Sequence, residues 1–94
     1  MEIEQIKSQV LPILRRHRIS RAGLFGSVVT GSANEQSDID ILVQLGSKMG
    51  LLEFVGIKHE LEDVLRKKVD LVEYRAIKPA LKDRILSEEL RIYG

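Results

Sequence analysis

The sequence predicts a small α/β (α+β) domain, a mixed sheet flanked by helices, and three observations carry that reading. Residues 3–17 and 51–65 repeat apolar side chains at helical spacing. Residues 39–45 are dominated by Ile, Leu and Val, as a central strand is. A shorter apolar stretch, Val69 to Glu73, reads as another strand before the last helical pattern. With 94 residues the whole chain, 1–94, is read as one domain, since domains commonly span about 50–250 residues.

The first helix is carried by Ile3, Ile6, Val10, Ile13 and Leu14. Pro12 interrupts it, and an interior proline removes a hydrogen bond, so a bend or a late start is expected there. Arg21 to Phe25 reads as a strand stopping at Gly26, followed by a short helix from Ser27 that ends at Gly31. Residues 31–37 are loop by composition. After the strand at 39–45, Gly46 and Gly50 bracket a turn. Leu51, Phe54, Ile57, Leu61, Val64 and Leu65 then mark the second long helix, with Glu62 and Arg66 spaced as an i,i+4 ion pair. Pro79 suits the first turn of a last helix, whose apolar face would carry Leu81, Ile85 and Leu86. The expected order is helix, strand, short helix, strand, helix, strand, helix, with helices covering at least one face of the sheet.

Composition narrows the function. Apolar residues make up 44% and charged residues 31%, which supports a packed core and excludes a disordered chain. Fifteen basic against fourteen acidic residues leave a net charge of +1, so no electrostatic footprint for direct nucleic-acid binding is present. The absence of cysteine excludes disulfides and thiolate metal sites. No apolar run approaches the ~20 residues of a membrane span, and no signal-peptide pattern opens the chain, so a cytoplasmic, membrane-free protein is expected.

Chemistry concentrates in the carboxylates. Asp38 and Asp40 open the most apolar strand, where an unpaired charge is costly. Being two apart, they project from one face, while Ile39, Ile41, Val43 and Leu45 share the other and point to the core. Two adjacent like charges need a cation between them, and oxygen-only ligands favour magnesium. Asp70 is a third acid inside an apolar strand. Should its strand pair beside the first, three carboxylates converge and can share two magnesium ions about 3.5–4 Å apart, the arrangement used for phosphoryl displacement. Asp70 would then border the attacking hydroxyl and take its proton. Gly26-Ser27 offers the complementary half: a tight turn, free N–H groups at a helix start and a hydroxyl, together a seat for phosphate.

Other polar residues read as structural. His17 and His59 lie on helices among charged residues and are expected to be solvated. Ser20, Ser32 and Ser47 have no nucleophile motif around them and read as turn residues. The cluster Arg15-Arg16-His17-Arg18 reads as a solvated helix end favourable to the dipole, and Lys67-Lys68 likewise.

Gly26-Ser27, ten residues, then Asp38-x-Asp40 resembles the signature of the DNA polymerase β-like nucleotidyltransferase superfamily. The short length and Val69-Asp70-Leu71-Val72 look like its minimal nucleotidyltransferase (MNT) branch, and the resemblance runs from about Leu24 onward. It implies the palm-like nucleotidyltransferase fold, with Asp38, Asp40 and Asp70 as metal-binding catalytic carboxylates and Gly26 and Ser27 on the nucleotide. It further implies ATP as substrate, two Mg2+ ions, and a HEPN-type toxin as partner, neutralised by AMP transfer to its tyrosine; a homo-oligomer is compatible with it. One departure stands out: many relatives carry arginine between the serine and the second glycine, and here the residues are Val28, Val29 and Thr30. The alternative reading is a non-catalytic antitoxin that neutralises its partner by complex formation.

Overall fold

The computed structural model describes residues 2–31 and 37–94. The element order is α1 (Ile3–Arg16), β1 (Ile19–Phe25), α2 (Ser27–Thr30), β2 (Ile39–Leu45), α3 (Leu51–Leu65), β3 (Val69–Glu73), a single 3-10 turn (Tyr74–Ala76), α4 (Pro79–Glu88) and β4 (Leu90–Tyr93). The loop expected at 31–37, with its Ser32, falls mostly outside the described residues.

Four strands form one mixed sheet in the order β3-β2-β1-β4. β1 runs antiparallel to both β2 and β4, whereas β2 and β3 are parallel and joined through α3, since parallel neighbours need a crossover connection. β2 is central, as its apolar run requires. On one side, Ile39, Ile41 and Val43 pack with Ile6, Val10 and Leu14 of α1 and Ile57, Leu61 and Leu65 of α3 into the main core. On the other side, Leu42 is fully buried with Phe25 and Ile77, and Ile85 and Leu86 of α4 close over them. Both faces are therefore covered.

Several expectations are corrected. α1 runs unbroken through Pro12, which lies on its exposed side, where the carbonyl left without a partner is open to water. The sheet has a fourth strand, β4, which the helix-ending pattern conceals, and β1 starts two residues earlier than expected. Ser20 accordingly lies within β1, at a register irregularity, and its hydroxyl donates to the Gln44 carbonyl at 3.1 Å. Leu51 and Val64 are exposed, because the buried stripe of α3 is the narrower Ile57, Leu61, Leu65 row, and Leu81 is exposed on α4, a helix with no fully buried residue. The Glu62–Arg66 pair does not form: Arg66 leaves the helix in the left-handed region, with φ 58°, and Glu62 Oε2 accepts from the Val69 N–H at 3.0 Å.

His17 is also corrected. It is largely buried between α1 and α3, with Nε2 3.0 Å from Glu60 and Nδ1 3.4 Å from Glu53, and Arg16 pairs with Glu60 beside it. The basic end of α1 is thus docked on the acids of α3. His59 is mostly solvated, as expected, 3.5 Å from Glu62.

Candidate active site

The carboxylate end of the sheet is set by strand register. β2 and β3 pair so that Asp40 lies opposite Asp70, with Ile39 beside Val69 and Ile41 beside Leu71. Alternation then sends the apolar neighbours into the main core and leaves Asp40 and Asp70 on the opposite face. Across the sheet, Asp40 lies opposite Phe25, the last residue of β1. The chain turning out of β1 therefore passes directly over Asp40.

Gly26 makes that passage feasible. Its φ is 75°, a region that side chains disfavour, and a Cβ there would fall 2.1 Å from Asp40 Oδ2. Only a residue without a side chain lets backbone and carboxylate approach so closely. α2 follows at once, with Val29 and Thr30 donating to the Gly26 carbonyl at 3.0 and 3.1 Å. The amides of Ser27 and Val28, at the very start of the helix, have no acceptor within it. Gly31 ends α2 in the left-handed conformation, φ 83°, as read from the sequence. Val28 and Val29 pack against the main core.

Asp38 lies one residue before β2 and is exposed, so strand alternation does not reach it; Asp70 is exposed and Asp40 partly buried. The Asp40 carboxyl is pushed up to about 6, first by burial, then by the negative charges of Asp70 and Asp38. Each of these influences disfavours the ionised form. A divalent cation suits this end on two counts: the donors are all carboxylate oxygens, which hard cations prefer, and positive charge would relieve the repulsion acting on Asp40. The backbone brings the acids together without a finished cage, however, because among the described residues no three acid or histidine side chains gather around one point.

The five residues singled out from the sequence, Gly26, Ser27, Asp38, Asp40 and Asp70, thus lie at one end of the sheet, on the ends of three adjacent elements. Sequence reasoning did not single out Phe25, whose pairing with Asp40 sets the line of the turn; nothing in its local pattern marks it.

The family model described as "Polymerase beta, Nucleotidyltransferase" matches residues 8–94. A Methanocaldococcus jannaschii protein, provisionally named a protein adenylyltransferase, is 48% identical over 92 residues, 98% of this chain and 99% of that protein. The protein adenylyltransferase MntA of Thermococcus cleftensis is 39% identical over 88 residues, covering 93% of this chain and 89% of that one. One chain of the tri-AMPylated Shewanella oneidensis HEPN toxin in complex with MNT antitoxin superposes with a TM-score of 0.76. The match covers 97% of this chain and 71% of that chain, at 22% identity, and so speaks for the fold. The chain belongs to the polymerase beta nucleotidyltransferase family and is by class a nucleotidyltransferase.

Proposed function

We propose that this nucleotidyltransferase moves AMP from ATP to a tyrosine hydroxyl of a HEPN-type partner and so acts as an antitoxin. The observation that carries the reading is the pairing of Asp40 with Asp70 directly beneath the Gly26-Ser27 turn. It is supported by the adenylyltransferase name of the Thermococcus relative and by the toxin–antitoxin complex that shares the fold.

In this reading Asp38, Asp40 and Asp70 would hold two magnesium ions, which when bound supply positive charge to the phosphates. The Ser27 hydroxyl and the first amides of α2 hold the outer phosphates. Asp70 takes the proton of the acceptor hydroxyl as its oxygen bonds to the α-phosphorus. The bond from that phosphorus to the bridging oxygen breaks, and pyrophosphate leaves with the electron pair.

The test is intact mass of the partner after incubation with this protein, ATP and magnesium. A gain of one or more AMP units is expected, lost with Asp40→Asn; undiminished transfer by that variant sinks the assignment. A second reading, neutralisation by contact alone, draws on α2, where Val28 and Val29 face the core and no arginine is offered to phosphate. Under it, Asp38→Ala would still neutralise the partner at equal expression, whereas the enzymatic reading expects neutralisation to fail.

A further inference from the structure

A second concavity lies at the end of the sheet far from Asp40. A cavity of about 830 Å³ lies where β2 and β3 finish, between α4 and the 46–49 segment. Gln44 at its edge is four residues beyond Asp40 on β2, roughly 13 Å along the strand. The two places are not continuous, because the buried plug of Phe25, Leu42 and Ile77 lies between them under α4.

Its chemistry is two-sided. Leu45, Met49 and Leu86 supply an apolar wall. Among the described residues that line it, Arg21, Lys48, Arg75 and Lys82 supply four cations against one acid, Glu73, with Glu89 paired to Arg21 beside them. That local excess is far from the near-balanced chain as a whole, whose net charge is +1. Two of the cations are already engaged. Arg75 bonds Glu73 at 3.1 Å, and Arg21 stacks on Tyr74 at 4.3 Å while pairing with Glu89 at 3.5 Å. Arg21 is nonetheless incompletely satisfied, since its Nε is buried without an acceptor. Lys48 and Lys82 enter none of the ion pairs among the described residues.

The volume falls within the roughly 300–1,000 Å³ typical of small-molecule sites. A bare phosphate would leave most of it empty, and an apolar ligand would leave the lysines without a counter-charge. We propose that this cavity is a second ligand site for a nucleoside monophosphate. Its phosphate sits between Lys48 and Lys82, and its base lies against Leu45, Met49 and Leu86. The site is separate from the carboxylate end, does not require magnesium and does not depend on AMP transfer taking place.

The probe is AMP, titrated without divalent cations into the isotopically labelled full chain and followed by amide and side-chain resonances. Signals from Lys48, Met49 and Tyr74 are expected to shift together, and Asp40→Asn to leave that response unchanged. The double variant Lys48→Glu, Lys82→Glu, both surface positions, should weaken AMP at least tenfold, with the rest of the spectrum unmoved. Three results overturn the proposal: shifts confined to Gly26, Ser27 and Asp40, undiminished AMP binding by the double variant, or no shift at all. Inorganic phosphate is the control. Binding as tight as that of AMP would show that no base is read and would also overturn it, as would displacement of AMP by an acidic peptide at equal concentration.

Discussion

Asp40 of β2 and Asp70 of β3 occupy directly paired positions of a parallel ladder, so two carboxylates stand on neighbouring strands with no residue between them. Strands in a sheet lie about 4.8 Å apart. At that spacing the charge of Asp70 adds to the burial that already makes Asp40 costly to ionise.

That cost gives a pH dependence. The Asp40 carboxyl ordinarily titrates at 3.8 and here at about 6, so between those values the folded state binds more protons than the unfolded chain. Stability from this group is therefore present below pH ~4 and is lost as pH rises toward 6. Discounted for partial exposure, the loss is about 1–2 kcal/mol. Urea denaturation of the metal-free protein at pH 4 and 7.5 should show Asp40→Asn gaining on the wild type by that amount at the higher pH only. Magnesium should narrow the gap by binding the folded wild type.

Gly26→Ala should damage the site more than the fold. The new methyl would collide with the Asp40 carboxylate, 2.1 Å from Oδ2, at a φ of 75°. A stability loss of about 1–2 kcal/mol is expected from the strained backbone. AMP transfer should fall by about a hundredfold or more, since a misplacement of ~1 Å is enough for that. Activity assays beside thermal melts separate the two effects.

Tyr74 should titrate late. Its hydroxyl donates to Glu89, and burial first, then that bond and the Glu89 charge, raise it from 10.0 to about 12. The folded state keeps this proton longer than the unfolded chain, so the stability it contributes is present below pH 10 and is lost between about 10 and 12. The chain has two tyrosines, and phenolate absorbance should show an upper step that Tyr74→Phe removes. Loss of the hydrogen bond should cost about 1 kcal/mol at neutral pH.

Leu61 and Leu52 lie on the same helix, yet they should respond very differently to truncation. Leu61 is 0% exposed in the main core and Leu52 is 89% exposed. Leu61→Ala should cost about 2–5 kcal/mol through lost burial and a cavity. Leu52→Ala should stay within about 0.5 kcal/mol. Chemical denaturation of both variants checks the pair.

The sequence by itself determined the elements whose signals are local. The bounds of β2, α3 and β3 follow from apolar runs and periods, and α2 from its two flanking glycines, because backbone conformation and side-chain alternation act over a few residues. The motif residues were legible for the same reason: each sits at an element end marked by its neighbours. Tertiary structure alone decided the rest. β4 is a four-residue edge strand whose Leu-Arg-Ile-Tyr pattern is weak by itself, and its hydrogen bonds come from pairing with β1. His17 meets Glu53 and Glu60 only because α1 lies on α3, and Glu62 turns from Arg66 to the Val69 amide once the chain reverses into β3. The register that sets Asp40 against Asp70 is likewise a distance between strands. Periodicity says which face a side chain takes, but which residue stands opposite is settled only when the strands pair and their inner faces fill the core.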